Sequence, residues 1–135
     1  MSEEEATNLS AVRRYLTELQ SGHSGEALRA FFTEDVLQVE FPNRLNPTGA
    51  SSDLATILER SIRGQKLLES QTYAVVSEMV QGNRAAIEAH WSGVLGVPLG
   101  ALKAGTTLQA HFAMFFLFRD GRISSQRNYD CFEPW

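Results

Sequence analysis

Cys131 is the only cysteine among 135 residues, so no intrachain disulfide can form. That lack fits a reducing compartment. No CxxC or HxxxH spacing occurs, so a dedicated zinc site is not expected, and no cofactor is expected either. Positive charge is also scarce. Twelve Lys and Arg face sixteen Asp and Glu, a formal net charge of -4, and no long basic run is present. A nucleic-acid partner is therefore not expected, because such proteins carry a basic stripe. Long apolar runs are missing too. The longest, Phe112 to Phe118, is too short to cross a bilayer as a helix, so no membrane partner is expected. The acidic start lacks the apolar stretch of a secretory signal. The expectation is a soluble, cytoplasmic protein.

Apolar residues make up 43%, and the length suits one domain, 1–135, around one core. Asn8 or Ser10 can cap a first helix whose apolar positions Leu9, Val12, Leu16 and Leu19 recur at helical spacing, with Tyr15 beside them. Glu3, Glu4 and Glu5 are expected to fray ahead of it. Ser24 opens a shorter helix through Leu28, Phe31 and Phe32. "EDVLQVEFP" alternates as a short strand stopped by Pro42, and "PNRLNPTGA" has the composition of a loop. Ser52 and Asp53 start a third helix through Leu54, Ile57, Leu58, Ile62 and Leu68. Strands follow: "QTYAVVSEMVQ", a turn at Gly82-Asn83, "RAAIEAHWSGVL", and then "TTLQAHFAMFFLF" and "RISSQRNYDCF" as a hairpin around Asp120-Gly121. Three helices ahead of a run of antiparallel strands predict an α+β layout with the helices on one face of the sheet.

The pieces "AVRRYLTELQSG", "ALRAFFTEDVLQVEFP", the Asp53 helix and "FLFRDGRISSQRNYD" appear in an order that resembles the nuclear transport factor 2-like superfamily, in particular its SnoaL-like and ketosteroid isomerase-like members. The resemblance implies a cone: a curved antiparallel sheet, covered by three N-terminal helices, that encloses an apolar pocket. It also implies a homodimer through the outer sheet face and a small apolar molecule as the partner in the pocket. Ketosteroid isomerases work with a proton-moving carboxylate, a tyrosine and a protonated carboxyl. The tyrosine matches Tyr15, in "RRYL". The first carboxylate falls on Phe41, before Pro42, with Glu40 expected on the opposite face. The second carboxyl falls on Met114. Two of the three groups are absent, which argues against steroid-type isomerisation by those residues.

The last strand is polar on both faces. With a two-residue loop at Asp120-Gly121, Met114 opposes Arg127. With a three-residue loop, Arg119-Asp120-Gly121, Met114 opposes Gln126 and Phe112 opposes Asn128, because a one-residue slip exchanges the faces. The resemblance favours the three-residue loop. It turns Gln126, Asn128 and Asp130 inward and sends Arg127, Tyr129, His90 and His111 to the outer face. The expected catalytic set is then Tyr15, Asp130 and Asn128. Phe32, Val39, Phe41, Leu58, Ile87, Trp91, Phe112, Met114, Phe116 and Gln126 are the expected ligand-binding wall. Each has a plainer alternative. Tyr15 could be a buried tyrosine with a protein partner, Asp130 a solvated or arginine-paired acid at the mouth, and the aromatics simple core. The two histidines, without a carboxylate at ligand spacing, suggest an interface role. Two functions follow: an isomerase, cyclase or lyase acting on a small apolar oxygenated molecule by acid-base chemistry, or a non-catalytic ligand-binding or dimerisation module.

Overall fold

Ser2, not Asn8 or Ser10, opens the first helix, α1 (Glu3–Gln20). The computed structural model, which describes residues 1–135, shows a reciprocal cap there. The Ser2 hydroxyl accepts from the Glu5 N–H at 3.1 Å, and the Glu5 carboxylate accepts from the Ser2 N–H at 2.7 Å. The acidic run therefore belongs to the helix and lies where its dipole favours negative charge. Asn8 sits inside α1, buried, and its amide donates to the Gly82 carbonyl at 3.4 Å, in the turn at Gly82-Asn83. Leu9, Val12, Tyr15 and Leu16 form the buried face.

The second helix is a 3₁₀ turn over Gly25–Phe31, after which the chain extends at once. Phe32 thus begins strand β1 (Phe32–Glu40) instead of ending a helix. A short strand not expected from the sequence, β2 (Ala50–Ser52), pairs with the end of β1, Glu40 opposite Ala50. Asp53 caps α2 (Leu54–Leu67), its carboxylate accepting from the Thr56 N–H at 2.9 Å. Strands β3 (Leu68–Gln81), β4 (Arg84–Leu95), β5 (Thr107–Arg119) and β6 (Arg122–Phe132) complete a six-stranded sheet in the order β2-β1-β6-β5-β4-β3. The α+β class holds, with the helices on one face of the sheet. One pair departs from the antiparallel expectation: β1 runs parallel to β6. These strands lie far apart in the chain, so no hairpin constrains their direction. No helix is long and apolar enough to cross a membrane.

The β5–β6 connection corrects the expected loop. It has two residues, Asp120 at φ 52° and Gly121 at φ 77°, and Arg119 opposes Arg122. Two left-handed residues give the turn whose twist suits a hairpin. Phe118 then opposes Ile123, but Leu117 opposes Ser125, so Ser124 is an extra residue in β6. Its hydroxyl donates to the Leu117 carbonyl at 3.1 Å. This bulge moves the register by one. Beyond it Met114 faces Asn128 and Phe112 faces Asp130. Gln126, Asn128 and Asp130 therefore point inward, the direction expected from a longer loop, although each pairs two positions from where that loop would place it.

Several expected wall residues are core. Phe32 (1% exposed), Leu58, Ile87 and Phe116 pack beneath the helices, with Phe32 edge-on to Tyr15 at 5.5 Å and Phe116 edge-on at 6.5 Å. Burying each such side chain contributes about 1.5–3 kcal/mol. Phe32 and Phe116 position Tyr15, and none of the four lines the cavity. Val39 and Phe41 lie on the other side of the sheet. Pairing in β1 sets Val39 beside Arg127 and Glu40 beside Asn128, and Phe41 stacks on Tyr129 at 4.5 Å. Along β1 and the residue after it, the apolar Leu37, Val39 and Phe41 face out and the polar Gln38 and Glu40 face in. The assumption that apolar means inward fails here because the enclosed space is lined by polar groups.

Candidate functional site

Between the concave face of the sheet and α1 and α2 lies a cavity with two connected parts, an outer part of about 510 Å³ and an inner part of about 210 Å³. Both are bounded by Glu40, Arg60, Gly64, Leu68, Gln71, Tyr73, Phe112 and Asp130. Trp91 and Phe132 add to the outer part; Tyr15, Gln38, Met114, Gln126 and Asn128 add to the inner part. The structure thus gathers Tyr15, Trp91, Phe112, Met114, Gln126, Asn128 and Asp130 from the expected set. The size suits a small organic molecule, not a macromolecule.

The inner wall carries a row of amides. Gln38 donates to the Gln126 side-chain oxygen at 3.1 Å, and Gln126 donates to the Asn128 oxygen at 3.0 Å. β1 and β6 run side by side, so their inward polar positions meet. The Tyr15 hydroxyl lies against Gln126 and Gln38. Burial outweighs these contacts and pushes its pKa up to about 12. Burial does the same more strongly to Tyr73, aided by Tyr15 and Asp130. Both phenols stay protonated near neutral pH and can donate.

Two carboxylates share the cavity and differ in their partners. Glu40 accepts from Arg60 at 2.9 Å and from the Asn43 amide at 2.8 Å. Arg60, on α2, also reaches the Ser52 hydroxyl at 3.4 Å. That pair ties the loop after β1 to α2 at the cavity wall. Asp130 has no such partner. Its Oδ1 is buried without a hydrogen bond. Burial, with Glu40 adding repulsion and Arg60 offsetting part of it, raises the Asp130 pKa from 3.8 to about 7. An acid there is part protonated and part ionised near neutrality, the state a group needs to take up a proton and give it back.

The aromatic wall is itself positioned. Trp91 stacks on Phe112 at 5.3 Å and donates its indole N–H to Gln71 at 2.9 Å, and Gln71 donates to the Leu19 carbonyl at 3.2 Å. Gly93 keeps space for that ring, since a Cβ there would stand 2.5 Å from it. At the rim, Arg44 donates to the Trp135 carbonyl at 2.8 Å and covers its ring at 5.1 Å. No histidine or cysteine lines the cavity, and one of its two carboxylates is already paired, so it offers no metal-ligand set.

Glu40, Arg60, Tyr73 and Gln71 are the site residues that sequence reasoning missed. Glu40, expected on the opposite face, lines both parts of the cavity. Nothing in the sequence sets Arg60 and Gln71 apart from other polar positions, and Tyr73 lies in a strand whose alternation is broken at Val76 by a bulge. The signal for Glu40 was the polar alternation Gln38-Glu40, matching that of Gln126-Asn128-Asp130.

Solved structures share this architecture. A provisionally assigned hydroxylase, AclR from Streptomyces galilaeus, superposes with a TM-score of 0.79 at 12% identity over 96% of this chain and 82% of its own. A provisionally assigned SnoaL-like polyketide cyclase from Jannaschia sp. CCS1 gives 0.76 at 16%, covering 96% and 89%. A protein of ketosteroid isomerase-like fold from Catenulispora acidiphila, solved with trimethylamine, gives 0.70 at 21%, covering 88% and 83%. At these identities the likeness is one of fold. No functionally curated protein matches the sequence. The family model for the SnoaL-like domain matches residues 12–126, from the buried face of α1 to the inward-facing Gln126. The chain belongs to the SnoaL-like domain family.

Proposed function

We propose that the protein is an enzyme of the isomerase or cyclase kind, moving a proton on a small, largely apolar, oxygenated molecule held in the cavity. The observation that carries this is the buried, unpartnered Oδ1 of Asp130 on the wall shared by both parts of the cavity. Ionised Asp130 takes a proton from a carbon next to a carbonyl. The electron pair moves onto the carbonyl oxygen, where the Tyr73 or Tyr15 hydroxyl donates to the growing negative charge. The enolate then either takes the proton back from Asp130 at a second carbon or adds through carbon to a second carbonyl of the same molecule. In the latter case the new alkoxide receives the proton. Either way Asp130 ends ionised, and the reaction needs no outside reductant or oxidant. The aromatic wall of Trp91 and Phe112 excludes water and strengthens these interactions. One of the named neighbours is a provisionally assigned polyketide cyclase, which supports the second outcome.

The test is turnover of a panel of enones, lactones and polyketide-like polycarbonyl compounds. Asp130→Asn should lower kcat by about a hundredfold or more, and Tyr15→Phe and Tyr73→Phe by smaller factors. Unchanged turnover in Asp130→Asn would remove the acid-base role. A second reading is favoured by the Glu40–Arg60 pair, which neutralises the other carboxylate in the cavity: a non-catalytic ligand binder. It predicts retained binding with no turnover in any form.

For the outer face we propose pairing with a second copy. Leu37 (50% exposed), Met79 (66%), Phe115, Tyr129 and Phe41 form an apolar surface there, with Arg127 over the Phe115 ring at 5.5 Å. Light scattering should give twice the chain mass, and Phe115→Glu should shift it to the monomer.

A further inference from the structure

We propose that His90, His111 and Glu133 form a binding site for one divalent transition-metal ion, Zn²⁺ or a similar borderline ion, on the outer face of the sheet and separate from the cavity. His90 on β4 and His111 on β5 are direct cross-strand partners. Such partners hold their Cβ atoms about 4.5–5.5 Å apart, which suits two imidazoles on one ion. Their rings meet edge to face, with centroids 5.3 Å apart at 64°, so the two imidazoles are already neighbours on the same face. Glu133 follows β6, and its backbone N–H donates to the Gln109 carbonyl at 2.9 Å, which fixes it beside His111.

The spacing favours an ion over a direct bond. His111 Nε2 and Glu133 Oε1 are 3.5 Å apart. That is longer than the usual hydrogen bond of about 2.7–3.2 Å. Two donors on a tetrahedral ion with bonds of about 2.1 Å stand about 3.4 Å apart. One ligand atom from each of the three residues lies within 4.8 Å of the others. Closing that gap needs side-chain rotation only, and in the single chain the exposure of His111 (64%) and Glu133 (48%) leaves this rotation free. Two imidazoles and a carboxylate suit zinc, copper or nickel and not magnesium or calcium, which prefer oxygen alone. Three protein donors leave the fourth position to water.

Occupancy would tie β4 and β5 to the residue that separates two aromatic contacts of the tail. Phe132 before Glu133 is a cavity wall, and Trp135 after it packs edge-on against Phe132 at 5.6 Å and beneath Arg44. An ion at Glu133 would hold the rim in place without entering the cavity.

The test uses untagged protein freed of metal by chelator. Titration with Zn²⁺ should show one ion per chain with a Kd of about 1 µM, and Co²⁺ should give the intense visible absorption of a four-coordinate site. His90→Ala and His111→Ala should each weaken binding by about tenfold or more, and Glu133→Gln by a smaller factor. His23→Ala should leave it unchanged, since His23 pairs with Glu18 at the end of α1. The variants are at exposed or half-exposed positions, and the Co²⁺ spectrum of the unaltered protein is a readout independent of them. Absence of saturable binding at roughly 100 µM ion, or binding that survives the His90→Ala/His111→Ala double change, would overturn the proposal.

Discussion

Replacing Asp130 by asparagine turns the proposed acid into a measurement of stability against pH that needs no substrate. The carboxyl has an ordinary value of 3.8, and in the folded protein burial, reinforced by Glu40, lifts it to about 7. The folded state therefore holds the proton more tightly than the unfolded state. The stability this confers is fully present below about pH 4 and is lost as pH rises toward 7. Above that, the folded protein carries a buried carboxylate without a partner. A rise from 3.8 to about 7 corresponds to at most about 4 kcal/mol, at about 1.4 kcal/mol for each pH unit. Asp130 is only half-buried, so solvent screening reduces this to about 2–4 kcal/mol. Asparagine stays neutral throughout and matches the shape and the polar burial of the protonated acid. Asp130→Asn should therefore match the parent protein near pH 4 and exceed it by about 2–4 kcal/mol near pH 8, or about 6–12 °C in Tm. The assay is thermal or urea unfolding at fixed protein concentration across that range. Asp53 supplies the opposite sign: the Thr56 N–H bond lowers its pKa, so its contribution is present above its unfolded value and is lost as pH falls. Parallel curves for the parent and Asp130→Asn from about pH 4 to about pH 8, or a less stable variant at the upper end, would refute the claim of an unpaired buried acid.

The neighbours of Asp130 should move its titration in opposite directions. Glu40→Gln removes repulsion and should lower the Asp130 pKa, whereas Arg60→Met removes attraction and should raise it, as read by carboxyl NMR signals in the titration range. Gly93→Ala puts a methyl group 2.5 Å from the Trp91 ring, so it should cost roughly 1–3 kcal/mol and change the tryptophan fluorescence. A normal melting curve for that variant would mean that the ring has room to move. Deleting Ser124 should remove the bulge yet keep Leu117 opposite Ser125, because a two-residue loop with no extra residue gives that same pairing. The deletion should therefore preserve the pH-dependent stability due to Asp130, and its loss would show that β6 had turned over.

The fold was legible where local chemistry and tertiary demand agree. Asp53 caps α2, Gly82-Asn83 closes β3 onto β4, and Ile87, Ala89 and Trp91 alternate inward along β4. Legibility failed where the demand reversed the local pattern. Val39 and Phe41 look like core, but the sheet of this protein is apolar outside and polar along part of its inside, so they point away. The last strand misled in a different way. Its inward residues followed from the assumption of a longer loop, whereas the actual cause is one extra residue at Ser124 after a short turn. Both devices shift the register by an odd number, and only the partner of each residue tells them apart.

Glu40 shows what a sequence can say about such a cavity when strands are considered in pairs and not singly. Gln38 and Glu40 form a short polar row on β1, and Gln126, Asn128 and Asp130 form a longer one on β6. A polar row that faces an enclosed space must find hydrogen-bond partners, and an adjacent strand with its own polar row supplies them. The Gln38–Gln126 bond is that meeting. The same pairing sets Glu40 beside Asn128, within the electrostatic reach of Asp130, where its charge helps to keep the acid protonated. Arg60 could not be reached by this route, because it comes from a helix and its spacing only marks it as polar. The candidate acid was legible in the last strand, but the groups that tune it lie on elements whose approach depends on the parallel pairing of β1 with β6.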